Sequence, residues 1–550
     1  MHALRFVTIL LLVSTSVAQQ HRRFVFQEAR ARDSFGLAVA GVGDTNRDGV
    51  PDLLVGAPGD DVGGRDAGAA VVYSGRDGRQ LRRLQGATSG GSFGFTVAGV
   101  GDLNADGNAD YAVASPDDGP GVVRVFSGRD GRVLYTWRGD SLGDRFGFSV
   151  AGVGDVDRDG RADVLVGAPA DDNRGTSSGH ARLFSGRNGA QLWRMDGWAA
   201  GDNLGNAVAG VGDLDRDGHA DLLIAAYLSD SRARDAGRIV VVSGRTKRVL
   251  YAIRGNSQGD AFGNAVAGIG DVTRDGVADF AVAAFHDDDG GQQAGSVRVY
   301  SGANGKVVFH WDGGSPHDEF GAALAPAGDV DGDGTPDVLV GASRESNQGK
   351  DSGAARVYSG RDGVLIRLWN GRRPGDGLGT AVAAAGDVDQ DGVGDLIFGA
   401  PFSDSGGADS GSALVFTGRR QSLAADTHWA SMRGNGIQRL SLDAGIAQRG
   451  RIYFLLGSLS GIRPGIRLGP GTLPLNPDAY WRFTLAFPNS LMLQGSVGLL
   501  GPRGHAEARI AALSVLPRFL VGRRLDHAFL VLGARGVSFV SNPVPLVLRN

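Results

Sequence analysis

The sequence predicts an all-β fold, a seven-bladed β-propeller followed by a small C-terminal β-sandwich-like module. Three observations predict it. One acidic segment recurs seven times in a single register, each recurrence comes with four short strand-like runs, and glycine reaches 91 of 550 residues without a collagen period.

The recurring segment has the form Gly-Asp-x-(Asp/Asn/Thr)-x-Asp-Gly-x-x-Asp. Its acidic run starts at Asp44, Asp102, Asp155, Asp213, Asp271, Asp329 and Asp387, at spacings of 58, 53, 58, 58, 58 and 58 residues. In the first full unit the strand-like runs are Leu37 to Val42, Asp52 to Val55, Ala69 to Tyr73 and Gln80 to Gln85, separated by Gly, Asp, Asn and Ser turns. Four strands per unit, seven times over, fit radial blades better than a sandwich or a solenoid. The first strand of each unit is rich in Ala, Gly and Val, as Val97-Ala98-Gly99-Val100 shows, because inner strands crowd a common axis. The last strand carries the bulk: Trp137, Trp193, Trp311 and Trp369 all fall there, on the wide rim, where aromatic packing between blades is expected. Arg23 to Gln27 precedes the first unit, whereas the last unit runs out after Leu414-Val415-Phe416-Thr417. The N-terminal strand is therefore expected to complete the seventh blade and leave no open edge.

Composition sets the outer bounds. With 42% hydrophobic residues, 21% charged residues and a formal net charge of -4, the chain reads as folded, with two or three domains. Residues 1–18 read as an export signal: Arg5, an apolar run from Phe6 to Val13, and a Ser16-Val17-Ala18 cleavage site. That run is far short of the ~20 residues a membrane span needs. The expected organisation is a signal peptide at 1–18, the propeller at 19–420 and the all-β module at 421–550, with a secreted or cell-surface location of bacterial type. No cysteine is present, so disulfides and thiolate metal sites are excluded and something else must stiffen the loops.

The acidic segments supply it. Their spacing is that of a calcium loop, with oxygen ligands at positions 1, 3, 5 and 9, a backbone carbonyl at 7, and a sharply turning glycine at 6, as Gly49 is in the first loop. The ligand sets are Asp44, Asn46, Asp48, Val50 and Asp52; Asp102, Asn104, Asp106, Asn108 and Asp110; Asp155, Asp157, Asp159, Arg161 and Asp163; and Asp213, Asp215, Asp217, His219 and Asp221. Three more follow: Asp271, Thr273, Asp275, Val277 and Asp279; Asp329, Asp331, Asp333, Thr335 and Asp337; and Asp387, Asp389, Asp391, Val393 and Asp395. Position 12 is apolar and strand-like (Val55, Val113, Val166, Ile224), where an EF-hand needs Glu. Each close pair of carboxylates costs about 4 kcal/mol at an effective dielectric of ~20, which a divalent cation offsets. An all-oxygen donor set suits Ca²⁺ better than Mg²⁺ or Zn²⁺. At a Kd near 10⁻⁴ M, millimolar calcium stabilises the fold by roughly 1.4 kcal/mol per site, approaching ~10 kcal/mol over seven structural sites. Thr273 is neutral where Asp157, Asp215, Asp331 and Asp389 are charged, so the fifth site is expected to be the weakest.

Phe35-Gly36 before the first loop and Gly56-Ala57-Pro58 after it resemble the FG-GAP signature of integrin α-subunit propellers. Phe93-Gly94, Phe146-Gly147, Phe262-Gly263 and Phe320-Gly321 repeat its first half, with Leu204-Gly205 and Leu378-Gly379 as variants. The second half is complete at Gly167-Ala168-Pro169 and Gly399-Ala400-Pro401, and degenerate at Ala114-Ser115-Pro116, Ala225-Ala226-Tyr227, Ala283-Ala284-Phe285 and Gly341-Ala342-Ser343. The resemblance covers residues 21 to about 420. It implies calcium loops stiffening a lower face and ligands approaching an upper one. It departs from the family in lacking leg domains, a membrane span and an inserted domain between blades two and three, where the repeat interval is the shortest. Adhesion-type binding is therefore expected without a signalling receptor.

In an antiparallel meander alternate loops leave opposite ends, which puts the acidic loops and the Ser-Gly-Arg-Asp-Gly turns on one face. The other face receives loops 59–68, 170–179, 228–237, 286–295, 344–353 and 402–411, expected to differ in charge and length from blade to blade. Variation on a rigid ring is where binding is expected. The expected partner is a protein or glycan ligand at the cell surface or matrix, bound by a monomeric propeller; a lectin-like or polysaccharide-processing propeller is the alternative. Arg138-Gly139-Asp140, though it spells a tripeptide that integrins recognise, reads as a blade-to-blade turn. Catalysis is not expected, since histidines stand singly and Gly457-Ser458-Leu459-Ser460-Gly461 has Leu where a nucleophile elbow needs Ser. No basic, aromatic-interleaved patch points to nucleic acid. In the C-terminal module, Ile452 to Leu456, Trp481 to Phe487 and Phe529 to Leu532 read as strands between Gly and Pro turns, with a surface-sorting or packing role expected.

Overall fold

The computed structural model describes residues 22–418, except 28, 29 and 332, and within 423–549 chiefly the strands. The expected export signal lies outside the described residues. The chain divides into two compact units, Arg22–Arg420 and one that includes Gln421–Asn550, and each is described by itself.

Seven four-stranded antiparallel sheets make the first unit a seven-bladed propeller. Blade 1 pairs Val39–Gly43, Asp52–Ala57, Ala69–Tyr73 and Gln80–Gln85 in that order. The second strand of every blade is buried along its whole length. Neighbouring blades cover both of its faces, so it reads as an unbroken apolar run rather than an alternation. The first strand starts two residues later than its apolar pattern suggests. Gly36 takes φ +90° and the Leu37 N–H donates to the Ser34 carbonyl at 3.0 Å, which makes residues 34–37 a turn.

Crowding at the axis is measurable. A Cβ on Gly41 would lie 2.4 Å from the Ala384 carbonyl oxygen of blade 7, and one on Gly268 2.3 Å from the Gly210 oxygen of blade 4, so bulk is excluded there. The FG-GAP residues act at the blade seams. Phe35 is fully buried and packs with Phe26, Tyr73, Ala413 and Val415, between blades 7 and 1. A Cβ on Gly56 would come within 1.9 Å of the Gly94 oxygen of the next blade. Where the second strand carries Ala114 instead, its methyl group faces Gly147, which explains why the second half of the signature degenerates while the glycine of the first half stays.

The rim tryptophans pack between blades as expected. Trp137 stacks on Phe184 and Trp311 on Tyr358, at ring-centroid distances of 4.5 and 4.4 Å, and their indole N–H groups donate to Gly189 and Gly363 of the next blade, each at 2.8 Å. Ring closure follows the sequence expectation: Arg22–Gln27 pairs antiparallel with Ser412–Phe416 and completes blade 7. Phe26 then stacks on Tyr73 of blade 1 at 4.0 Å, the role the tryptophans have elsewhere.

Among its described residues the second unit is built mainly of strands. One sheet holds Leu423–Ala425, Ile437–Asp443, His505–Ala511 and Leu493–Gln494; a second holds Trp429–Ser431, Val544–Arg549, Arg524–Gly533, Ile452–Ser458 and Val497–Leu499, with Gly536–Val540 paired to Arg524–Gly533; a third pairs Ile466–Leu468 with Gly471–Leu473. Two of the strands read from sequence lie within Ile452–Ser458 and Arg524–Gly533. The third, 481–487, lies outside the described residues apart from Thr484, which is helical where a strand was expected. Among the described residues no helix is long and apolar enough to cross a membrane.

Candidate metal centres and the opposite loop face

Backbone N–H groups fix the carboxylates of all seven acidic loops in one pattern. The first aspartate accepts two N–H groups from its own loop: Asp44 Oδ1 from Asp48 at 3.2 Å and Oδ2 from Gly49 at 2.8 Å, with the same pair at Asp102, Asp155, Asp213, Asp271, Asp329 and Asp387. The fifth residue accepts from the seventh, as Asp48 does from Val50 at 2.9 Å. The ninth is wholly buried in every loop. Asp163 Oδ2 accepts from Val156 at 2.8 Å and Oδ1 from Gly186 of the neighbouring turn at 3.0 Å, and so ties two loops of one blade together. Burial pushes its carboxyl up to about 6 against these hydrogen bonds, and likewise Asp110 and Asp221; Asp395 reaches about 7.

Carboxylate oxygens converge within 4.8 Å of one another in four loops: Asp155, Asp157 and Asp163; Asp213, Asp215 and Asp221; Asp329, Asp331 and Asp333; and Asp387, Asp389 and Asp395. These are the loops with Asp at the third position. In the others Asn46 and Asn104 accept the Asp48 and Asp106 N–H groups at 2.9 and 2.8 Å, and the Thr273 hydroxyl lies 3.4 and 3.5 Å from Asp271 and Asp279. Oδ2 of Asp333 is buried and meets no hydrogen-bond donor. An all-oxygen set with an unmatched buried carboxylate oxygen fits a hard divalent cation. At the seventh position the Val50, Asn108, Arg161, His219, Val277, Thr335 and Val393 N–H groups bond the fifth-position carboxylates.

Gly49 adopts φ +84°, as the sharp turn requires. Sequence reasoning missed a second left-handed residue two positions earlier: Arg47, Ala105, Arg158, Arg216, Arg274 and Gln390 all lie near φ +60°, at a cost of roughly 1–2 kcal/mol each for a residue with a Cβ. The side chains of Arg47, Arg216, Arg274 and Gln390 bridge neighbouring loops. Arg216 donates to the Asp275 carbonyl at 2.6 Å, Arg274 to that of Asp333 at 2.8 Å, and Gln390 to Gly49 at 3.2 Å. Lys247 was also missed. It replaces a turn glycine, and although burial pulls its pKa down, the charges of Asp163, Asp157, Asp221 and Asp217 work against that, which places a fixed cation by loops three and four.

The opposite face differs from expectation in one respect. Its six long loops vary in charge but not in length: each spans ten residues on a shared frame. The third residue accepts the N–H of the eighth, as in Asp61 from Asp66 (2.8 Å), Asp172 from Ser177 (2.7 Å), Asp230 from Asp235 (2.7 Å), Asp288 from Gln293 (2.6 Å), Ser346 from Asp351 (3.1 Å) and Asp404 from Asp409 (3.0 Å). Alternating hydrophobicity carries no trace of such a local bond, but an Asp or Ser five residues before a left-handed position is its signal. The Arg138-Gly139-Asp140 turn is structural: Asp140 pairs with Arg182 and Arg194, which hold its carboxyl below the usual range although burial pushes the other way.

The repeats are similar in sequence to those of known proteins. A family model described as "FG-GAP repeat" matches residues 35–73, 146–184, 204–242, 320–358 and 378–416. The chain is 30% identical over 235 residues to integrin alpha-V of Gallus gallus, covering 39% of this chain and 22% of that protein. It is 34% identical to integrin alpha-3 of Cricetulus griseus (30% and 17% covered) and 37% identical to human integrin alpha-6 (27% and 14% covered). The aligned parts span about a fifth of these relatives or less. A crystal structure of Saccharomyces cerevisiae Sqt1 aligns over 73% of this chain with a TM-score of 0.45 and 10% identity.

Proposed function

Given that residues 22–418 form an FG-GAP propeller of the integrin-α type, we propose that it is a secreted or cell-surface adhesion module. It holds up to seven structural calcium ions on one face and binds a protein or other surface ligand through the ten-residue loops of the other. One contrast carries this reading: one face repeats the same carboxylate arrangement seven times, whereas the other holds changing residues on an unchanging frame. Repetition suits a structural role and variation on a rigid frame suits recognition.

The first, third, fifth and ninth side chains and the seventh carbonyl of each loop would hold the cation, whose charge offsets the repulsion among the carboxylates. The fifth site, with Thr273 in third position, is the weakest. The 19–420 propeller works as a monomer and the 421–550 module serves surface sorting or packing. The test is reversible capture of the full chain by extracellular-matrix proteins, envelope extracts and a glycan array, with and without chelator. Capture that needs calcium and is lost when the ten-residue loops are exchanged supports the reading. Turnover of a polysaccharide would overturn it in favour of a processing propeller.

A further inference from the structure

On the variable face, the second residue of the ten-residue loop is a buried acid in four blades, and each time a side chain of the third or fourth strand pairs with it. Asp60 takes Arg83 and Gln85 Nε2 (2.5 Å) in blade 1. Asp171 takes His180 Nδ1 (3.1 Å) and Arg194 (3.5 Å) in blade 3. Asp287 takes Ser296 (2.7 Å) and Arg298 (3.0 Å) in blade 5, and Glu345 takes Arg356 (2.7 Å) in blade 6.

Blade 4 breaks the rule on the acidic side only. Its acid is replaced by Ser229, 2% exposed, while Arg238 takes the register of His180 and Ser296. Arg254 lies directly across the strand pair from Arg238, where blades 3 and 5 have Asp196 and Asp312. Like charges opposite one another in a sheet repel. Among the described residues neither arginine has an ion pair. Arg238 Nε is buried without a hydrogen-bond partner and its guanidinium stacks 3.7 Å over the Trp198 ring. Burial, and then the Arg254 charge, lower the Arg238 pKa, with Asp202 opposing. Asp202 is already engaged, accepting the Trp198 and Ala199 N–H groups at 3.1 and 2.8 Å. Trp198 remains 39% exposed beside them.

We propose that Arg238 and Arg254, flanked by Trp198, form a docking site for a carboxylate side chain of an acidic protein ligand. The ligand carboxylate takes the place of the acid that blades 1, 3, 5 and 6 carry themselves. Two guanidinium forks match a carboxylate in charge and shape, and Trp with Arg is the composition of protein-binding hot spots. The assignment rests on the adhesion reading and names the ligand chemistry at one blade.

The experiment measures binding of the calcium-loaded full chain to immobilised poly-glutamate, with heparin and poly-lysine surfaces alongside. Poly-glutamate is expected to bind. Arg254→Gln and Arg238→Gln should each weaken it at least tenfold, and Ser229→Asp, which restores the acid of the other blades, should abolish it while raising the melting temperature. Arg254 is exposed, so its variant reports even if a change at buried Ser229 disturbs folding. The proposal fails if poly-glutamate does not bind, if Ser229→Asp or Arg254→Gln binds as the parent does, or if heparin alone is retained. Ligand capture that survives Ser229→Asp but is lost on loop exchange would remove this site and leave the adhesion reading standing.

Discussion

The two faces of the propeller use the same residue, aspartate, for opposite purposes. On the acidic-loop face three carboxylates converge in each of four loops, and their mutual repulsion has no cationic partner among them. On the variable face, in blades 1, 3, 5 and 6, a lone buried acid meets an arginine, histidine or hydroxyl in the same blade, so its charge has a partner within the blade. On the proposed reading the acidic-loop face depends on an external cation, whereas the other keeps one frame while its residues vary.

Breaking the ring tests what both faces share. Deleting residues 21–28 removes the strand that pairs with Ser412–Phe416, exposes an edge in blade 7 and empties the Phe26 seam. Loss of a cooperative melting transition is the expected outcome, and a shift of only a few degrees would show that closure is not what holds the wheel together.

Calcium removal separates the faces. Chelation should lower the melting temperature by about 10 °C, from ~10 kcal/mol over seven sites and the unfolding entropy of a domain of roughly 400 residues. Exchanging a ten-residue loop should move it far less. A chain equally heat-resistant in EDTA would contradict the division.

Single carboxylates sharpen it. Asp163→Ala strands the Val156 and Gly186 N–H groups and should cost about 2–4 kcal/mol, visible as a lower denaturant midpoint. Asp172→Ala, on an exposed loop whose Oδ1 holds one N–H group, should cost about 1 kcal/mol. Equal effects would erase the contrast.

The pH response should have opposite signs on the two faces. In chelator, Asp110, Asp163 and Asp221 titrate near 6 in the folded chain, above the 3.8 of a free side chain. The folded state then binds more protons, and their contribution is lost as pH rises from about 4 through 6. His180 on the other face is held at about 3 by burial first and by Arg182 and Arg194 next. It is less protonated folded than unfolded, and its contribution is lost as pH falls from 6.5 toward 3. Melting curves from pH 4 to 8 in chelator should show the first slope shrink in Asp163→Asn and the second in His180→Gln. Calcium should abolish the first and leave the second.

Much of this was legible in the residues. A 58-residue period with four apolar runs leaves little choice but blades, and N-terminal Phe24-Val25-Phe26 matched the missing fourth strand well enough to close the ring on paper. The spacing of the acidic residues was equally plain, and it placed carboxylates two residues apart around an Asp-Gly turn. Legibility failed where one residue's role depends on another blade. Nothing local distinguishes Arg216, which reaches the next loop, from a solvated arginine, or Lys247 from the glycines it replaces.

What the sequence determined by itself is the repeat: strand number, blade number, the position of the acidic loops and closure, since these follow from short-range pattern and simple counting. What only the tertiary structure decided is the set of partners across seams and between strands: the Gly56 and Gly94 approach, the shared frame of the ten-residue loops, and the unmatched arginines of blade 4. The physical reason is range. Backbone geometry and hydrophobic alternation act within a few residues, whereas which charge meets which depends on strands brought together from many residues apart.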